Sequence, residues 1–211
     1  MFRTILCMLT ALLMVGSAYA GSTEDCEQSQ SPERTIKACT QLLMEQPRNA
    51  RAYNRRGHAH NAMYDFDLAL TDFNKAIEID PGYADAYAGR GRARPFGDED
   101  QAMADVNKAI ELDPRNARAY LYRVDLHSIR LPDYQERVLA DLSKAIELDP
   151  TNACIYVARG TEYAVRGQRD LAKSDFAKAI EIDGIMAQLV RAVGFPELLD
   201  EIMAEQRANP R

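Results

Sequence analysis

The chain has 211 residues, a formal net charge of −6, 46% hydrophobic and 27% charged residues, 8% aromatics and no Trp. That balance suits a soluble globular or repeat protein. Its acidity and scarcity of aromatics argue against binding nucleic acid or anionic lipid, because both partners carry the same sign of charge.

From the N-terminus, Arg3 supplies a short positive region and Ile5–Val15 is an almost unbroken apolar run. Ala18-Tyr19-Ala20 is the small-x-small signature of a secretory cleavage site. The apolar run is short for a membrane span, and polar residues follow from Gly21 to Asp25. Residues 1–20 therefore read as a cleavable signal peptide, with a retained signal anchor as the alternative. Cys26 lacks a lipobox-like Leu-x-small triplet and Cys7 lies too early for one, so no lipid anchor is expected. Cleavage removes Arg3 and leaves 25 basic against 32 acidic residues, a net −7. The expected location is periplasmic or secreted, with no membrane association after cleavage.

A phrase K-A-I-E-[IL]-D-P then recurs: Lys75–Asp80 with Pro81, Lys108–Asp113 with Pro114, and Lys144–Asp149 with Pro150. Lys178–Asp183 repeats it with Gly184 in place of Pro. Counted on Ile77, Ile110, Ile146 and Ile180 the steps are 33, 36 and 34, the period of stacked helix–turn–helix units. In the first clear copy Tyr53, Gly57 and His60 share one helical face, and Ala69, Phe73 and Ala76 share a second. The small residues allow close approach, and Tyr53 and Phe73 fill the remaining space. Pro81 lacks an amide donor and ends the second helix. Asn49, Asn116 and Asn152 stand where a side chain caps the next first helix. After Asp183 the register fades. Ile185–Val193 and Glu197–Gln206 read as helices covering the open end, and Arg207–Arg211 as a frayed tail.

These residues resemble the tetratricopeptide repeat, W-x2-L-G-x2-Y…A-x3-F…P. Tyr53, Gly57, Ala69, Phe73, Ala76 and Pro81 match in one copy; Tyr87, Gly91, Ala102, Val106, Ala109 and Pro114 in the next, with one residue deleted. Tyr120, Val138, Leu142, Ala145 and Pro150 match in a third, with two inserted and Val124 in place of Gly. Tyr156, Gly160, Tyr163, Ala172, Phe176 and Ala179 match in a fourth. The resemblance implies an all-α, right-handed superhelical solenoid: a degenerate half-repeat over 21–48, four repeats over 49–184 and capping helices over 185–211. In the half-repeat Cys26 and Cys39 take positions that face each other in the family, which implies a Cys26–Cys39 disulfide in an oxidising compartment. Cys154 is then expected to be unpaired.

Sites for chemistry are not evident. No H-E-x-x-H, paired C-x-x-C or G-x-x-x-x-G-K-[ST] occurs, so neither metal nor cofactor is expected, and the chain does not read as an enzyme. The Arg-rich stretch Gly89–Gly97 contains a packing glycine, Gly91, and no strand precedes it. Its simpler reading is a shortened first helix ended by Pro95 and Gly97 that re-aims Arg92 or Arg94. Asp65-Phe66-Asp67 and Asp98-Glu99-Asp100 read as acidic helix starts.

The resemblance places a concave groove on the first helices. It maps to Arg51, Asn54, Arg55 and His58, then Asp85 and Arg92, then Arg118, Leu121, Tyr122 and Asp125, and finally Cys154, Val157, Ala158 and Thr161. Such a groove is basic toward its N-terminal half and apolar toward its C-terminal half. It would hold a protein or peptide partner, acidic by charge complementarity, making the chain a non-enzymatic adaptor. An accessory subunit of a cell-envelope enzyme complex, or a self-associating structural protein, are the alternatives. The chaperone-tail clamp of some family members fits at Asn54, but Gly89 and Tyr122 depart from it.

Overall fold

The structure is a computed structural model that describes Cys26 and residues 31–94, 97–127 and 134–208; the expected signal peptide lies outside these residues. The described elements are eleven α-helices with no strand among them: α1 Pro32–Glu45, α2 Ala50–Ala62, α3 Phe66–Ile79, α4 Ala84–Ala93, α5 Glu99–Leu112, α6 Ala117–His127, α7 Tyr134–Leu148, α8 Ala153–Val165, α9 Arg169–Ile182, α10 Met186–Ala192 and α11 Pro196–Ala208. Among the described residues no helix is long and apolar enough to cross a membrane. The chain divides into two compact units at Leu126/His127.

The recurring phrase has a local explanation. Its Asp closes the turn after each second helix: the carboxylates of Asp80, Asp113, Asp149 and Asp183 accept from the backbone N–H groups of Gly82, Arg115, Thr151 and Ile185 at 2.9, 2.9, 3.3 and 3.0 Å. Its Ala is buried, at Ala76, Ala109, Ala145 and Ala179. Its Lys and Glu form exposed i,i+3 pairs, such as Lys75–Glu78 at 2.7 Å, each worth a few tenths of a kcal/mol (~0.2–0.5). Asn49, Asn116 and Asn152 accept from the N–H groups of Ala52, Ala119 and Cys154 at 3.0, 3.2 and 3.2 Å, as the capping argument requires.

In the N-terminal unit, successive helices pack on one another through small alanine-rich clusters. Cys26 and Cys39 are disulfide-bonded and join Leu42 and Ala52 in the first. Closing a loop of that length stabilises by about 3 kcal/mol in the chain-entropy model. The next cluster centres on Phe73, fully enclosed among Ala69, Ala76, Ala86 and Ala93. Two glycines from consecutive repeats face this ring. A Cβ on Gly57 would lie 2.9 Å from it, and one on Gly89 only 2.4 Å away. Gly89 therefore serves packing, by admitting the ring to the interface between repeats.

A buried ion pair ties together the two helices of three pairs, α2/α3, α4/α5 and α8/α9. Arg56 on α2 grips Asp72 on α3 through Nε and Nη2 at 2.8 and 2.7 Å, and its Nη1 donates to Thr40 on α1 at 3.0 Å. Arg90 on α4 repeats this with Asp105 at 2.9 and 2.6 Å and with Asn74 at 2.9 Å. Helix α4 has 10 residues against 13 in α2, and just past its end Arg94 adds a second guanidinium to Asp105 at 2.9 Å. The Arg-rich stretch is thus consumed by internal pairing.

In the C-terminal unit, Arg159 on α8 grips Asp175 on α9 at 2.8 Å and reaches Ser143 on α7 at 3.2 Å. Phe176 sits against Gly160, and α10 and α11 lay Met186, Leu189, Val190, Leu198, Leu199 and Ile202 into the same core. Helix α11 continues to Ala208, two residues into the stretch expected to fray. Cys154 corrects an expectation as well: it is disulfide-bonded, not a free thiol. Cys154 is half-buried on α8, packed against the core of its unit.

Gly89→Ala is expected to destabilise the protein by about 1–3 kcal/mol through overpacking against Phe73. Helix propensity alone favours alanine by about 1 kcal/mol, so a lowered melting midpoint isolates the steric term. Phe73→Leu in the same chain should recover part of the loss.

Candidate functional site

The first helices of the N-terminal unit present two rows of polar side chains on the face opposite in register to the Arg–Asp grips. Two residues before the repeat tyrosines Tyr53, Tyr87 and Tyr120 stand Arg51, Asp85 and Arg118; five residues after them stand His58, Arg92 and Asp125. The same side-chain direction in each helix brings neighbouring row members together.

Asp85 is the hub. Its Oδ2 accepts from Asn54 Nδ2 at 2.8 Å and from His58 Nε2 at 2.9 Å; Arg118 Nη1 donates to its Oδ1 and Oδ2 at 2.8 and 3.1 Å. Asn54 also reaches the Tyr83 hydroxyl at 3.4 Å. The His58 ring stands edge-on to Phe73 with centroids 5.0 Å apart. Arg92 approaches Asp125 at 4.0 Å and lies over the Tyr122 ring at 5.3 Å.

Burial by itself would raise the Asp85 carboxyl. The neighbouring His58, Arg118 and Asn54 together outweigh it and hold the group far below the carboxylate range. Burial pushes the His58 imidazole down; Asp85 opposes this, and Arg118 and Arg92 reinforce it. His58 is therefore neutral at pH 7, with Nε2–H donating to Asp85. Burial likewise raises Tyr83, while Arg51 and Arg55 pull it down, which sets both guanidiniums in electrostatic reach of its hydroxyl.

The expected basic wall is therefore partly self-neutralised. Arg118 is held by Asp85 and Arg92 is near Asp125; at the N-terminal end Arg51 is exposed and Arg55 half-buried. Arg55 makes no ion pair with any described residue. Leu121 and Tyr122 are buried, 8% and 4% exposed. In the C-terminal unit Val157 and Thr161 are each 3% exposed, closed into the core with Met186 and Leu189 or bonded to the helix backbone, and Ala158 is half-buried. Val157 and Thr161 as they stand offer no open apolar floor, because the helices that follow the repeats use that surface. Tyr83 and the Arg–Asp grips escaped the sequence reading. The grips had a signal: an Arg sixteen, fifteen and sixteen residues before an Asp at Arg56/Asp72, Arg90/Asp105 and Arg159/Asp175. Among the described residues no cluster of three or more His, Cys, Asp or Glu side chains is arranged to hold a metal ion.

Residues 50–83 and 94–116 match family models of the tetratricopeptide repeat. The chain carries tetratricopeptide repeats. Solved structures of this family share its fold. A thermophilic tetratricopeptide repeat protein of Thermus thermophilus is 20% identical, with 80% of this chain and 90% of that one covered and a TM-score of 0.66. PilW, a type IV pilus biogenesis factor, is 18% identical over 89% and 90%, with a TM-score of 0.63. YrrB, a tetratricopeptide repeat protein with an unusual peptide-binding site, is 21% identical over 80% and 90%, with a TM-score of 0.55. No curated protein matches the chain.

The inner face of this tetratricopeptide repeat chain carries a pH prediction. His58 is depressed on folding from an ordinary value of 6.5, so the unfolded chain binds more protons below that pH, and stability falls as pH drops through 6.5. Asp85, also depressed, adds a further loss below its ordinary 3.8. Melting midpoints between pH 7 and 5 should therefore decline less steeply in His58→Asn than in the natural protein. An unchanged slope would show that His58 does not titrate on unfolding.

Proposed function

We propose that this chain is an exported, non-enzymatic adaptor that holds an extended acidic segment of a partner protein on the inner face of its N-terminal unit. The observation carrying this reading is the placement of Arg55, free of ion pairs with the described residues, beside Arg51 and within reach of Tyr83, with Arg118 nearby. Arg118 commits one nitrogen to its partners and stays 48% exposed. Guanidinium forks pair with carboxylates in two-point geometry, which suits a ligand of opposite charge to the wall. Tetratricopeptide repeats serve protein–protein interaction, and the similar YrrB has a peptide-binding site. Exposed pairs contribute about 0.2–1 kcal/mol each, so binding should be modest and salt-sensitive.

Export is supported by the small-x-small site at Ala18–Ala20, by the Cys26–Cys39 bond, which persists in oxidising compartments, and by the likeness to a pilus biogenesis factor. The mature protein should begin at Gly21, and intact mass of the exported species measures this; a species retaining residues 1–20 would refute cleavage.

The binding reading is tested by crosslinking in the native host. Arg51→Glu with Arg55→Glu should reduce capture of the partner about tenfold, since two attractive pairs become repulsive. Helicity should be retained. Undiminished capture would move the binding site off this wall.

A further inference from the structure

Asp85 is not used by the adaptor reading, yet three side chains of the inner face donate to it. At its register position the repeats carry Arg51, Asp85, Arg118 and Cys154, so the acid stands alone. None of its three donors lies on its own helix: Asn54 and His58 come from α2 and Arg118 from α6. The need for a buried ion pair within its own helix pair is already met by Arg90 and Asp105, which face another way. What surrounds Asp85 is an amide N–H, an imidazole N–H and a guanidinium edge, converging within 2.8–3.1 Å on one carboxylate. That is a donor set suited to a bound carboxylate, with charge-assisted bonds among its members. The set is rigid. Asn54 is 2% exposed, His58 is edge-on to Phe73, and Gly89 leaves no room beside it, a Cβ there lying 3.0 Å from His58 Cε1.

We propose that Asp85 is the resident occupant of a carboxylate site built by Asn54, His58 and Arg118, and that it bars a ligand's carboxylate from the inner face at this point. The tether gives the resident group a high effective concentration, against which a free carboxylate competes poorly. This deepens the adaptor reading and rests on it for its biological sense. An acidic partner is then held at Arg55, Arg51 and the exposed part of Arg118, and passes over the filled site.

The test uses the full chain with Asp85→Ala and sodium formate as the probe, against sodium chloride at equal ionic strength. The variant should melt below the natural protein, and formate should raise its midpoint saturably by about 5 °C, chloride should not. The natural protein should respond alike to both salts. Asp85→Asn, which fills the space, and Asp85→Ala combined with Arg118→Met, which removes a donor, should both lose the formate response. Short peptides with a free C-terminus, an amidated C-terminus or only side-chain carboxylates then separate the possible sources of the group in the Asp85→Ala chain. If Asp85→Ala does not fold unaided, refolding yield in formate replaces the melting midpoint. Absence of a formate-specific gain in Asp85→Ala, or an equal gain in the natural protein, overturns the proposal. Either outcome leaves the Arg51/Arg55 crosslinking result standing by itself, so the two readings fail separately.

Discussion

The two-point grip of an arginine on a buried aspartate is the interaction on which the repeats depend. Asp72, Asp105 and Asp175 are 3–6% exposed, and each is met by a guanidinium from the partner helix. Removing Arg56 or Arg159 would take the two-point partner from a buried carboxylate, a loss of about 3 kcal/mol or more. The same guanidiniums donate a third bond to Thr40, Asn74 or Ser143 on the preceding second helix, so each grip also sets the spacing to the previous pair. Tyrosines brace the geometry: Arg56 lies over Tyr53 at 5.5 Å and Arg90 over Tyr87 at 5.2 Å. With the first helices fixed in rotation, their opposite register positions are forced to line up, which is how the two polar rows arise.

The fold was legible because the repeat phrase encodes local acts that need no tertiary context. Asp80 closes a turn, Asn49 caps a helix, Ala76 allows approach, and Phe73 fills the space that Gly57 leaves. The register of the first helices also named Asn54, His58, Asp85 and Arg118 as residues of one face. Periodicity could not say what they do to one another. Whether Arg118 projects toward a ligand or back onto Asp85 depends on rotamers and on the spacing between repeats. The same limit explains Val157: its register position matches Asn54, but a helix beyond the last repeat closes over it.

The polar rows also divide the inner face by energetic role. Asp85 and its donors are bonded to one another, so their contribution goes into holding α2, α4 and α6 in place. Arg55, which makes no ion pair with any described residue, lies outside that network's hydrogen bonds, and in the proposed adaptor it answers a partner's charge. A face with an internally bonded centre and a charged margin favours modest, salt-tuned association over tight burial.

The alternation Arg51–Asp85–Arg118 makes these repeats non-interchangeable. Deleting the middle unit would set two guanidiniums side by side where a carboxylate now separates them, and duplicating a flanking unit would do the same. The backbone of a tandem array tolerates such shuffling, but here the charge order resists it. Arrays that gained or lost a unit would bring like charges into contact, so the order of the units matters even where their packing residues are alike.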